Sequence, residues 1–191
     1  MSKGNEIIVI GGSAGSFPII MEILPVLPPQ LAIPIVIVLH RLRNVSSEMG
    51  QLFSKVAKQQ VIREPEDKEP IIAGNIYLAP QNYHLLIEPE KIFSLDYSEQ
   101  VNYSRPSIDM TFTSAGVVYH NLCLGILLSG ANKDGAEGIK CIIKNGGAAI
   151  IQDPSEATYS AMPEAAIQTN PTALVANTAT IIQIIKNTLV Q

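Results

Sequence analysis

Four short runs, residues 7–10, 35–39, 122–128 and 148–151, are almost unbroken in apolar residues and rich in Ile, Val and Leu. A strand that is apolar on both faces must be covered on both, and this happens where helices pack on either side of a parallel sheet. The segments between the runs carry the period of amphipathic helices. Ser107 can cap one that presents Ile108, Phe112, Ala115 and Tyr119 on one face, and 134–144 forms another with Ala136, Ile139 and Ile143 turned inward. This alternation predicts an α/β fold: a doubly wound, mostly parallel sheet with helices on both faces. The stretch "AGNIYLAPQNYHLLIEPEKIFSLDYS" departs from it. It holds two or three short strands broken by turn residues at Gln81–Asn82 and Pro89–Glu90, and is expected to form a small antiparallel hairpin region as an insertion or sheet edge. No Pro/Gly/Ser-rich linker and no repeat interrupts the 191 residues, so one catalytic-sized domain over 1–191 is expected.

Charge and cysteine usage narrow the function. A net charge of −4, with Lys and Arg scattered singly and in pairs, leaves no basic stripe for a phosphate backbone, so nucleic acid is not an expected partner. Cys123 and Cys141 lie in apolar runs without a second pair or a His at zinc spacing, and are expected to be reduced core thiols. No metal or organic cofactor is expected. The N-terminal apolar run is too short for a signal peptide and no segment reaches the roughly 18 apolar residues of a membrane span. A cytoplasmic protein without membrane insertion is the expectation; its oligomeric state is left open.

The polar residues next to the apolar runs are more informative. In open α/β sheets functional groups gather at the carboxyl ends of the strands. The first run opens into "GGSAGS", a small-residue loop that exposes Ser13; the second is followed by His40; the third leads through "SGANK" to Asp134. The loop fits Gly-x-Ser-x-Gly, the pattern of a sharply turned nucleophile, but small turns after strands also cradle anions. It is neither a dinucleotide fingerprint, which needs Gly at position 13, nor a P-loop, which needs a Lys after the last Gly. A hydroxyl, an imidazole and a carboxylate on one sheet edge are the set a Ser-His-Asp relay needs. Asp153, after the fourth run, is a rival for the carboxylate, whereas His84 and His120 are expected to be structural or solvated.

The blocks "VIGGSAGS", "VLH", "GNIYLAPQNYHLLI", "RPSIDMTFTSAG", "GILLSGANKDGAEG" and "IIQDPSEATYSAMPEAAI" follow one another as in the catalytic domain of CheB-type protein-glutamate methylesterases, which the chain resembles over nearly its whole length. The resemblance implies a hydrolase that removes methyl esters from glutamyl residues of the cytoplasmic domain of chemoreceptors, with deamidation of receptor glutamines as an extension. It also implies Ser13 as nucleophile, His40 as general base and Asp134 as orienting acid. In the mechanism expected from both lines, backbone N–H groups after Ser13 and one from the His40 loop hold the oxyanion. Several positions depart from the family pattern: Ala14 for Thr, Ser16 for Gly, Arg41-Leu42 for Met-Pro and Ala131 for Met. These bear on substrate choice and rate. Arg41 and Arg43 are expected to be exposed candidates for steering toward an acidic receptor surface, against the plainer reading of solvated loop charges. The family enzyme carries a phosphorylatable receiver domain ahead of this one. Here the first run begins within a few residues of Met1, so phosphorylation control is not expected within this polypeptide. Two other readings remain: an anion-binding module built on the "GGSAGS" loop, and a catalytically weak receptor-binding module on the same fold.

Overall fold

The structure, a computed structural model, describes residues 5–41, 48–57 and 60–189. Its elements are β1 (Ile7–Gly12), α1 (Phe17–Ile23), β2 (Ile35–Leu39), α2 (Met49–Val56), β3 (Ile62–Arg63), β4 (Ile76–Leu78), β5 (His84–Ile87), β6 (Phe93–Asp96), α3 (Ile108–Tyr119), β7 (Cys123–Leu127), α4 (Ala136–Lys144), β8 (Ala148–Gln152), α5 (Ala161–Thr169), β9 (Leu174–Ala176) and α6 (Thr178–Leu189). Seven strands form one parallel sheet in the order β3-β4-β2-β1-β7-β8-β9. The expected fold class is observed.

The alternation of side chains along each strand divides the core in two. Ile8, Ile10, Ile35, Ile37, Leu124 and Ile126 face α1, α2 and α6, where Ile20, Phe53 and Ile185 close the layer. Ile7, Val9, Val36, Val38 and Leu127 face α3, α4, α5 and the β5–β6 hairpin through Phe112, Ile139, Met162 and Phe93. Packing on this second face is close: a Cβ on Gly11 would lie 2.4 Å from Ile108 Cγ2, so α3 begins directly beneath the carboxyl end of β1.

Two expectations change in detail. The first strand of the middle region is β4, which pairs parallel with β2 in the main sheet; only β5 and β6 form the antiparallel hairpin. Helix α4 starts at Ala136, not at 134, and the residue turned to the core is Ile142 while Ile143 is only partly buried. Gly135, at φ 95°, ends the loop, and its left-handed backbone keeps the helix from starting before Ala136.

From β1 the chain winds outward on one side to β2 and β4, then crosses back to β7 on the other side of β1. The strand order therefore reverses at β1, and the crevice outside its carboxyl end is where this fold class places ligands.

Candidate active site

Ser13 follows β1 at that reversal. Its N–H donates to Ser129 O (2.9 Å), tying the loop to the end of β7, and its carbonyl accepts from Ser16 N–H (3.1 Å) and Ser16 Oγ (2.6 Å). Gly15, at φ 81°, turns the chain into α1 where a Cβ would lie 2.6 Å from Thr158 Cβ and 2.7 Å from Ser129 Oγ. Ser16, the departure from the family's Gly, is buried and fills the space against Gly12, where a Cβ would meet its side chain at 2.6 Å. Among the described residues, neither Ser13 Oγ nor the Ala14 N–H takes a hydrogen bond.

His40 follows β2. The register pairs Gly12 with Leu39, and His40 N–H donates to Gly12 O (3.2 Å), so His40 stands beside Ser13 at the ends of adjacent strands. Its imidazole reaches Asp134 through Nε2 (2.8 Å to Oδ2) and Ser104 through Nδ1 (3.1 Å to Oγ). No hydrogen bond between His40 and Ser13 Oγ occurs among the described residues.

Asp134 is fully buried. Its Oδ2 accepts from His40 Nε2 and from Ile108 N–H (2.7 Å); its Oδ1 accepts from Ser107 Oγ (2.9 Å), Asn102 Nδ2 (3.0 Å) and Asp109 N–H (3.1 Å). The carboxylate thus caps the N-terminus of α3, whose free N–H groups and dipole favour a negative charge. Burial pushes the Asp134 carboxyl up, but the hydrogen bonds from His40, Ile108 and Asn102 outweigh it and hold the carboxyl below its ordinary value. An ionised carboxylate only accepts, so Nε2 carries the imidazole proton. Nδ1 is then the free lone pair, and Ser104 Oγ is its donor. Asn102 Nδ2 also donates to Asp109 Oδ2 (2.9 Å), whose Oδ1 accepts from Gly138 N–H (2.8 Å). Burial raises the Asp109 carboxyl to about 6, with the Gly138 N–H opposing and the Asp134 charge reinforcing.

Other expected residues fall elsewhere. Asp153 binds Ser155 N–H (2.8 Å) at the end of β8 and does not reach His40. His84 is buried, with Nδ1 accepting from Ser107 N–H (3.1 Å) and Nε2 on Glu99 O (2.9 Å), and His120 is exposed at the end of α3. Arg41 corrects the expectation of an exposed steering charge: its side chain is 4% exposed, paired with Glu64 and turned to Ala79 O, because a guanidinium at this strand end finds a carboxylate and a carbonyl within reach. Arg43 lies outside the described residues. Cys123 is a buried free thiol, but Cys141 is only partly buried, with its Sγ toward Thr113 O of α3.

Asn102, Ser104 and Ser107 were not singled out for this network, nor were Ser129 and Gln152. Ser129 Oγ binds Ala14 O (2.8 Å) and accepts from Tyr159 N–H (2.9 Å), while Gln152 Oε1 accepts from Ser129 N–H (2.8 Å). A signal existed for the last: Gln152 is a polar residue closing an otherwise apolar strand.

No helix among the described residues is long and apolar enough to cross a membrane. The profile of the CheB methylesterase family matches residues 8–185. A Leptospira interrogans protein named as a protein-glutamate methylesterase/protein-glutamine glutaminase is 48% identical over 163 residues, 85% of this chain and 84% of that one. A Carboxydothermus hydrogenoformans protein of the same name is 35% identical over 86% of this chain and 50% of its own length. The crystal structure of the Thermotoga maritima CheB methylesterase catalytic domain superposes with a TM-score of 0.89 at 28% identity, covering 97% of this chain and 99% of that one.

Proposed function

The chain belongs to the CheB methylesterase family, and from that premise we propose that it hydrolyses glutamyl methyl esters of chemoreceptors, with Ser13 as nucleophile, His40 as general base and Asp134 as orienting acid. The observation that carries this reading is the 2.8 Å contact of the buried Asp134 carboxylate with His40 Nε2, which leaves Nδ1 unprotonated, held by Ser104 Oγ, beside the strand end that bears Ser13.

In the proposed cycle Ser104 yields Nδ1 to the Ser13 hydroxyl, whose contact tightens only with substrate in place. Nδ1 takes the proton as Ser13 Oγ attacks the γ-ester carbon, and the imidazolium formed is steadied by Asp134. The unpartnered Ala14 N–H next to the nucleophile supports a role in holding the oxyanion, a contact worth roughly 3–4 kcal/mol in enzymes of this kind. The imidazolium protonates the departing methoxide, which leaves as methanol, and water then cleaves the acyl-enzyme by the same relay. The name of the Leptospira relative supports a second activity on glutamine γ-carboxamides, with ammonia as the leaving group.

A serine-directed phosphonate is expected to label one site, and Ser13→Ala to abolish labelling and ester hydrolysis together. Labelling that survives the substitution refutes Ser13 as the nucleophile.

A further inference from the structure

The turn that supplies Asn102 and Ser104 to the site has an unusual apex. Two backbone hydrogen bonds close it, Val101 N–H to Ser104 O (3.2 Å) and Ser104 N–H to Val101 O (2.9 Å), with Asn102 at φ 50° and Tyr103 at φ 62°. Two successive left-handed residues are what a tight turn of this hand requires, and Asn enters that region readily; a bulky aromatic residue rarely does. The backbone is fixed from both flanks, by Asn102 on Asp134 and Asp109 and by Ser104 on His40. Tyr103 is left 94% exposed, so the ring contributes almost nothing to the core, and Gly would suit the backbone better. A strained, exposed aromatic beside a candidate catalytic imidazole points to a partner outside the chain.

The ring does not stand alone. Of the six tyrosines, Tyr77 and Tyr119 are buried, while Tyr83, Tyr97, Tyr103 and Tyr159 are exposed and all lie on loops at or next to the carboxyl edge of the sheet. Tyr83 and Tyr97 pack at a tilt, with centroids 5.6 Å apart, and Tyr97 covers the Arg105 guanidinium at 3.9 Å. Tyr97, Tyr103, Arg105 and Lys133 line a cleft of about 850 Å³ that shares Asn102 with the site. Arg105 is 7% exposed, and although its Nη1 donates to Tyr97 O and Ser98 O, its buried Nε has no partner among the described residues. Lys133, next to Asp134, forms no ion pair among the described residues. Glu99 is the one acidic residue in the lining.

We propose that this cleft seats the substrate polypeptide on one side of its reacting glutamate, with an apolar side chain against Tyr103 and Tyr97 and a neighbouring carboxylate on Lys133 and the Arg105 guanidinium. The inference rests on the esterase reading above and adds what that site selects: an acidic segment with an apolar neighbour, not an isolated ester. Rigid tyrosines present a large apolar face at small entropic cost, and an unpaired cation beside them selects for acidic sequence.

The test uses the full chain and two substrates: a helical peptide with one glutamate γ-methyl ester flanked by Leu and unesterified Glu, and N-acetyl-glutamate γ-methyl ester amide. Tyr103→Gly removes the ring while suiting the φ of 62°, and thermal melting checks that the fold survives. Tyr103→Gly and Lys133→Glu are each expected to lower the ratio of kcat/KM for peptide over small ester about tenfold. Peptide affinity, measured by fluorescence anisotropy in a Ser13→Ala background, is expected to weaken by the same factor. Binding and ratio that are indifferent to both substitutions overturn the cleft. Loss sensitive to Tyr103 but not Lys133 overturns the acidic preference. Tyr103-dependent binding of a peptide that the wild type never hydrolyses overturns the esterase reading and keeps the cleft.

Discussion

Replacing Asp134 by Asn changes one atom, and the five donors around the carboxylate let its consequence be worked through. The amide nitrogen must stand where one oxygen was. At the Oδ1 position it would face Asn102 Nδ2, Ser107 Oγ and the Asp109 N–H; at Oδ2 it would face only His40 Nε2 and the Ile108 N–H. The second placement is cheaper, since the imidazole can move its proton to Nδ1 and accept from the new amide through Nε2. That leaves Ile108 N–H buried against a donor, at about 1–3 kcal/mol, and the remaining bonds lose their charge-assisted strength. A destabilisation of about 2–5 kcal/mol follows, or about 4–20 °C in Tm for a chain of this size. The same tautomer shift fills the lone pair that Ser13 needs, so kcat is expected to fall by about 10⁴. Urea denaturation at constant m reads the first effect, and turnover of a glutamyl methyl ester well below Tm reads the second. Asp153→Asn is the control, because its carboxylate binds Ser155 N–H and no part of the relay. A stability loss with kcat reduced less than about tenfold would make Asp134 a helix cap alone and refute the tautomer argument. An unchanged Tm would refute the network's role in holding α3.

Two further outcomes follow from the same region. Asp134 titrates below its unfolded value of about 3.9, so its stabilisation is present above that pH and is lost as pH falls through the folded value; Asp109, raised to about 6, contributes stability that is full below about pH 3.9 and lost as pH rises through about 6. The difference in unfolding free energy, wild type minus Asp109→Ala, is therefore expected to fall as pH goes from about 4 to 7, and a flat difference over that window would count against the raised carboxyl. Gly15→Ala is expected to cost more than about 1 kcal/mol by urea denaturation and to lower kcat, since φ 81° disfavours a side chain and its Cβ would press on Thr158 and Ser129; a fully active, equally stable variant would contradict the nucleophile-loop geometry.

The parts of the site legible in the sequence are those that follow an apolar run directly. Ser13 and His40 stand at the first residues after β1 and β2, and Asp134 lies one short loop beyond β7, so strand ends alone brought them forward. Asn102, Ser104 and Ser107 were not so marked. They sit between the hairpin and α3, far along the chain from all three, and nothing local distinguishes a turn that supports a candidate catalytic histidine from one that merely turns. The helix read over 134–144 is present, but its start at Asp134 was misplaced for a similar reason. An acidic residue before a helix resembles a first-turn acid of that helix, and only the packed structure shows that Asp134 caps the neighbouring α3 instead.

By itself, then, the sequence determined what each short segment must do: apolar runs become strands buried on both faces, Gly-rich loops turn tightly, and polar residues fall at the strand ends. These are properties of a few neighbouring residues, set by side-chain volume, periodicity and backbone freedom. The tertiary structure decided what depends on which strands lie side by side. The crossing back from β4 to β7 puts β2, β1 and β7 in contact and so brings together positions 13, 40 and 134. The approach of Ile108 to Gly11 sets the α3 terminus under them, where a buried carboxylate can be held charged by five donors. The 101–104 turn closes the arrangement by placing one hydroxyl on His40 and one exposed ring at the mouth of the cleft. Such contacts join residues far apart in the chain, 94 positions for His40 and Asp134, and no local pattern encodes them.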